Sequence, residues 1–339
     1  MTLILHENSF LFSDQNIDYQ RRFKEMIGDC QRHSEQFEAS ILSYDEALKL
    51  ADQFSGNENS KNINKGDIMH HMAISFRATN KIEEAIKWYK QSLETKKKRP
   101  DSPAKHYAIA NTLNSIGNCY QGLRDYQKAL DEWFEKACQQ LQKSEDNQDT
   151  KELKSWLYNN IGICHRNLGH YEKALEAYEN ALSIKKEINA PSERLAMTLN
   201  NIGKVLSAQG RHQEALEKYK ESLEKKREYS GQDANTRSIA VCLNNIGEEN
   251  WFLQDYSEAG KWLREALAMK KIIHRGNHPS TATTLNRIGA NYSKQGDLNK
   301  AKDYYKQAYD MIMACEGHDD SKVMYNEDLD KIEEILREK

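Results

Sequence analysis

Four prolines and sixteen glycines in 339 residues leave little to interrupt helices, and strand-like alternation is scarce, which argues against a sheet protein. No segment approaches the roughly 18 apolar residues of a membrane span. Near the start the longest apolar run, Leu3-Ile4-Leu5, is also far too short for the core of a secretion signal. The six cysteines form no C-x-x-C pair and no zinc spacing, as expected of reduced thiols in a cytosol, so the chain reads as soluble and cytoplasmic. A net charge of -3 and a pI near 6.4 exclude general attraction to nucleic acid or to an acidic membrane surface. There is no phosphate-binding glycine loop, no nucleophile elbow and no H-E-x-x-H. His274 and His278 are four apart but lie in the turn-like HRGNH, so they do not share a helix face as metal ligands would. Catalysis, a metal and a cofactor are therefore not expected.

What the chain does contain is a repeat. The phrases LNSIGNCYQGLRDYQKAL, YNNIGICHRNLGHYEKAL, LNNIGKVLSAQGRHQEAL, LNNIGEENWFLQDYSEAG and LNRIGANYSKQGDLNKAK superimpose without a gap. In each, a glycine precedes an alanine by twelve residues: Gly117 and Ala129, Gly162 and Ala174, Gly203 and Ala215, Gly247 and Ala259, Gly289 and Ala301. Two upstream copies carry Ala73 with Ala85 and, most degenerate, Gly28 with Ser40. Four residues past the second anchor stands a large side chain, in order Tyr44, Tyr89, Trp133, Tyr178, Tyr219, Leu263 and Tyr305, and three further on a small one usually follows. Seven units result, near residues 21–54, 66–99, 110–143, 155–188, 196–229, 240–273 and 282–315. Because each unit packs only on its neighbours, such an array escapes the size limit of a single core.

The first anchors are 45, 44, 45, 41, 44 and 42 residues apart. The polar stretches SGNENSKNINK, SEDNQDTKELK, SGQDANTRSI and HRGNHPST are expected to form the lengthened joints. Repeat three carries one residue more between Ala129 and Ala137 than its counterparts, either a single-turn bulge or a plain insertion. Tyr325, Leu329, Ile332 and Leu336 fall on one helical stripe, so residues 316–339 are expected to form a capping helix, and residues 1–20 to cover the other end. Cys30, Cys119 and Cys164 share one repeat position and read as small core residues.

The pattern resembles the tetratricopeptide repeat, with a small residue at position 8, alanine at 20, an aromatic at 24 and a small residue at 27. Close approach of two helices explains it, and Gly203→Leu or Ala215→Leu is expected to overpack the joint by about 1–3 kcal/mol. The resemblance implies an all-α, right-handed α-solenoid of about seven helix-turn-helix pairs with a C-terminal capping helix. The longer period and the phrase HPSTATTLNRIGANYSKQGDLNKAKDYYKQAY resemble the repeats of kinesin light chains across residues 66–315, although the long heptad region of a motor subunit is missing. Similar repeats occur in cell-polarity adaptors and in bacterial sensors or effectors.

In such stacks, the resemblance implies, the first helix of each pair lines a groove that holds an extended peptide of a partner protein. Asn114, Asn118, Asn159, Asn160, Asn200, Asn201, Asn244, Asn245 and Asn286 crowd the corresponding positions. Asparagine is a poor interior helix former, so its recurrence calls for a compensating bond, either to a peptide main chain or to a neighbouring helix. Arg77, Arg166, Lys204 and Arg287 fall on the same face and suggest a preference for an acidic segment. Trp156, and Trp251 with Phe252, form either an aromatic anchor pocket or a repacked core. Arrangements that clamp a chaperone's C-terminal carboxylate place basic residues where Met197, Asn200 and Asn201 stand, so that match fails. Basic pairs recur at second-helix ends, in KKKR at 96–99, Lys185-Lys186, KKR at 225–227 and Lys270-Lys271, and read as complements to the helix dipole. The expected function is a non-catalytic scaffold or adaptor that binds protein or peptide, not nucleic acid and not a membrane. The alternatives are a self-associating solenoid and a bacterial sensor or effector that sequesters a partner.

Overall fold

The computed structural model describes residues 14–53, 58–231, 234 and 236–338. Among them there are fifteen helices and no strand. Before Lys173 come α1 (Asp14–His33), α2 (Phe37–Gln53), α3 (Glu58–Ala78), α4 (Ile82–Lys97), α5 (Pro103–Gly122), α6 and α7 (Gln148–Asn167). Helix α6 runs through Tyr126–Lys128, a π-helical turn Ala129–Phe134, and Glu135–Leu141. Then follow α8 (Tyr171–Glu187), α9 (Ser192–Ala208), α10 (His212–Ser230), α11 (Arg237–Phe252), α12 (Tyr256–Ile273), α13 (Pro279–Lys294), α14 (Leu298–Met313) and α15 (Asp319–Arg337). The chain forms two compact units, one ending at Lys173 and the other starting at Ala174. Within each, consecutive helices pack as pairs and each pair packs on the next.

The anchors explain the pairing. A Cβ placed on Gly28, Gly203 or Gly289 would lie within 3.0 Å of the ring of Tyr44, Tyr219 or Tyr305 in the same repeat, so only a hydrogen fits between the first helix and the second. Gly247 meets Leu263 in the same way. Tyr44, Tyr89, Tyr178, Tyr219 and Leu263 are essentially buried, as their spacing requires.

Repeat three departs, and the extra residue is the cause. The π turn takes up one residue, so Phe134 rather than Trp133 comes to lie under Gly117 and is fully buried. Counting from Phe134 restores the three-residue step to Ala137, also buried. Trp133 is left half-buried, stacked on Tyr120 with ring centroids 5.8 Å apart. The spacing rule that chose Trp133 was valid for an uninterrupted helix only.

Other expectations change as well. Residues 1–13 of the expected N-terminal cap lie outside the described residues, and residues 14–20 already belong to α1. Much of SGNENSKNINK and SEDNQDTKELK is helix, forming the first turns of α3 and α7, so part of the longer period lies in longer helices rather than longer joints. Asn147 starts α7 by accepting the Thr150 N–H at 3.0 Å. Cys119 and Cys164 are buried, but Cys30 is exposed, since its face of α1 has no preceding described helix pair to cover it. At the other end α15 packs on α14, burying Ile332 against Ala301 and Tyr305, and Tyr325 in the cluster of Leu285, Ala308 and Ile312.

Candidate functional site

Each first helix places a residue three before its glycine anchor toward the interior of the stack. Asn114, Asn159, Asn200 and Asn244 hold that place and are buried. Three of them accept a bond from the next repeat: Asn160 donates through Nδ2 to Asn114 Oδ1 at 3.1 Å, and Asn245 to Asn200 Oδ1 at 3.3 Å. Thr284 donates to Asn244 Oδ1 at 3.0 Å. The next residue along, Asn160, Asn201 or Asn245, is only half-buried. Each asparagine pair therefore divides into a buried member and a partly accessible one, and the accessible amides of Asn160 and Asn245 bridge repeats.

In two of the repeats without asparagine the bridging place carries a basic or titratable side chain, Arg287 and His71. Arg287 reaches Glu248 at 2.7 Å, which largely neutralises an arginine expected to attract an acidic ligand. Burial pushes the Glu248 carboxyl up despite the arginine. In the second repeat the pair is His70 and His71, which hold the same two positions but lie outside the asparagine pattern of the sequence. His70 is buried 3.2 Å from Thr112 Oγ1, and burial holds its pKa well below the usual range. His71 lies 3.5 Å from Asp29 Oδ1, which also accepts from Tyr44 at 2.7 Å and from Arg32 at 3.2 Å.

Of the remaining candidates, Arg77 and Lys204 are exposed, and Arg166, Trp156 and Asn118 are half-buried. Asn118 Oδ1 is buried without a hydrogen-bond partner, as is Asn286 Oδ1, while Asn286 Nδ2 donates to Asp328 of the capping helix at 3.0 Å. The structure brings Trp251 and Phe252 together with Glu248, Arg287, Ala290 and Leu263 around a cavity of about 150 Å³. The core place in that turn is filled by Asn250, buried and bonded back to the Ile246 carbonyl at 2.7 Å. Phe252 stays 45% exposed, so the aromatic pair does not fill the core. Trp251 meets Phe252 edge-on at 5.3 Å, and its indole N–H is buried with no acceptor. Phe252 stacks on His212, which is held by Glu249 at 2.8 Å.

The basic clusters hide a second inter-repeat device. One lysine of each, Lys96, Lys185, Lys226 and Lys270, is buried seven residues past the large side chain. Lys96, Lys185 and Lys270 donate to Thr112, Thr198 and Thr284 of the next repeat at 3.1, 2.7 and 2.7 Å. Lys226 faces Cys242 at the threonine place and instead reaches the Ser238 carbonyl at 2.8 Å. Burial lowers the pKa of Lys96, Lys185 and Lys270 to about 8. These four are thus interior ties and not exposed complements to the helix dipole. Their neighbours Lys97, Lys186 and Lys271 remain exposed. The joint between repeats three and four has no tie of this kind, with Leu141 and Leu157 buried at the two places.

No helix among the described residues is long and apolar enough to cross a membrane, and no cluster of three or more potential ligands there could hold a metal. Two family models match, both described as tetratricopeptide repeat: one over residues 153–228 and 234–313, the other over 68–103. No curated protein gives a significant sequence match. Similar solved structures include BtubC (BKLC) from P. vanneervenii, 23% identical over 70% of this chain and 93% of that one, with a TM-score of 0.59. The apo form of RapI is 16% identical over 90% of this chain and 79% of that one, TM-score 0.71. A Rap protein complexed with Competence and Sporulation Factor is 16% identical over 95% and 87%, TM-score 0.57. Matched models over more than half the chain, a constant glycine-to-alanine spacing and consecutively packed helix pairs agree: the chain is an all-α tetratricopeptide-repeat protein.

Proposed function

We propose that the chain is a non-catalytic interaction scaffold that holds an extended peptide segment of a partner protein along the first-helix faces. The observation that carries this reading is the cavity beside Trp251 and Phe252. It has an apolar floor at Leu263, an indole N–H that lacks an acceptor, and no aromatic counterpart at the same two positions of the other repeats. A partner side chain seated there would bury apolar area against Leu263 and the two aromatic rings. In the same unit the half-buried amides of Asn201 and Asn245 supply further main-chain contacts, and exposed Lys204 favours an acidic flank. A Rap protein of similar fold was crystallised with Competence and Sporulation Factor, which is support by analogy of fold alone. The long period supports a likeness to kinesin-light-chain repeats, and six free thiols suit a cytoplasmic protein.

The test is selection of displayed random peptides on the intact chain, followed by affinity measurement against Trp251→Ala and Asn245→Ala. Selected peptides that lose about tenfold or more on Trp251→Ala support the reading. Binding untouched by both variants, with folding intact, would move the interaction off this face.

A further inference from the structure

The first helices of repeats three, four and six start on caps that do not titrate near neutrality: Ser102 for α5, Asn147 for α7 and Thr236 for α11. Helix α13 differs. Its cap is His278, whose Nδ1 accepts the Ser280 N–H at 3.1 Å, so that nitrogen carries no proton. The His278 ring is stacked face to face on His274, with centroids 3.5 Å apart and planes 10° from parallel. The same turn anchors the lysine tie of this joint, because Lys270 donates to the Ser280 carbonyl at 2.9 Å and to Thr284 at 2.7 Å. Stack, cap and tie thus meet within one turn.

We infer that the His274–His278 stack is an acid-sensitive latch on the joint between the sixth and seventh repeats, closed when both rings are neutral and opened by protonation. A proton on His278 Nδ1 removes the acceptor for Ser280, and two stacked imidazolium rings repel one another. The charges acting on the pair are Arg237 at the start of α11, Lys270 of α12 and His318 ahead of α15, all basic, with no carboxylate among them. Arg275 lies between the two rings in sequence. Burial first, and then these cations, hold both imidazoles below their ordinary value. A histidine so lowered contributes stability that is complete above its unfolded pKa and is lost as pH falls through the folded one. Opening therefore belongs to mildly acidic conditions. Arg287 and Ala290, two walls of the aromatic cavity, ride on α13, so the latch would also weaken whatever the cavity holds in acid. That last step rests on the binding reading above, whereas the latch itself does not.

Hydrogen exchange on the unliganded intact chain tests it, with rates normalised to intrinsic exchange at about pH 7.5 and about pH 5. Protection in the first turns of α13 is expected to fall about tenfold in acid, while α5, capped by Ser102, holds its protection. His278→Asn keeps a cap acceptor that does not titrate and should hold protection at both pH values. Imidazole proton resonances of the wild type, followed through the same range, should show the pair titrating below the ordinary histidine value in step with the loss of protection. Unchanged protection in wild type, equal loss in His278→Asn, or titration at the ordinary value would each overturn the latch.

Discussion

Replacing Lys185 by methionine separates the charge of a tie from its packing. Lys185 is 1% exposed, and its ammonium donates to Thr198 Oγ1 at 2.7 Å and, more weakly, to the Arg194 carbonyl at 3.4 Å. Burial, helped by the Arg194 charge, lowers its pKa from 10.5 to about 8. At about 1.4 kcal/mol per pKa unit, that difference is a charge penalty of roughly 3 kcal/mol at neutral pH. The folded pKa is below the unfolded one, so between about 8 and 10.5 the unfolded chain binds more protons and wild-type stability rises with pH. Methionine has a similar length and no charge. Thr198 still donates to the Arg194 carbonyl, so no hydroxyl is stranded, and at pH 7 Lys185→Met should be neutral or slightly stabilising. The sharper quantity is the difference between the two proteins as pH rises. It should shift by about 2 kcal/mol in favour of wild type between pH 7 and pH 10, most of the penalty having been relieved by then. Paired urea titrations followed by helical circular dichroism measure it, and other tyrosines and thiols that titrate in this range cancel in the comparison. A difference constant to within about 0.5 kcal/mol across the range would refute the assignment of a charged, desolvated lysine at this joint.

Gly117→Ala should cost about 1–3 kcal/mol in thermal or urea unfolding and more than Gly247→Ala, because the added methyl overlaps the rigid ring of Phe134 more deeply than it does Leu263 Cγ, which stays 2.7 Å away. Deleting Trp133 places Phe134 four residues after Ala129, as in the other repeats; a structure of the variant should show an uninterrupted helix with stability within about 1 kcal/mol of wild type. Asn245→Ala leaves Asn200 Oδ1 without its donor and should lower stability by about 1–3 kcal/mol, so peptide affinities for this variant are to be read at temperatures where both proteins are folded.

The helix pairs, the seven repeats, the capping helix and the large buried residues were legible in the sequence because each depends on a spacing that packing enforces. Phe134 was not, since a π turn changes the count without announcing which residue it absorbs; only Ala137, one place late, gives the sign. The asparagines were found, but a one-dimensional pattern does not say which member of a pair turns inward. Asn114 and Asn160 resolve that only when neighbouring repeats are juxtaposed. The lysine ties were hidden for a related reason: Lys185 and Lys186 look alike in sequence, and what distinguishes them is a threonine thirteen residues on from Lys185. The aromatic cavity was half legible, as the departure of Trp251 and Phe252 from the repeat pattern, with Asn250 deciding that they are not core.

The lysine ties also limit how this chain can be rearranged. A repeat that ends in a buried lysine must be followed by one that offers a hydroxyl or a first-turn carbonyl in reach, whereas the repeat ending in Leu141 must be followed by one that offers Leu157. Repeats that look interchangeable therefore carry a matched end and beginning. Shuffling them in a designed array, or duplicating one by recombination, would either strand an ammonium against leucine or leave a cavity where lysine had been, and only transfers that keep both halves of a joint together preserve the stack.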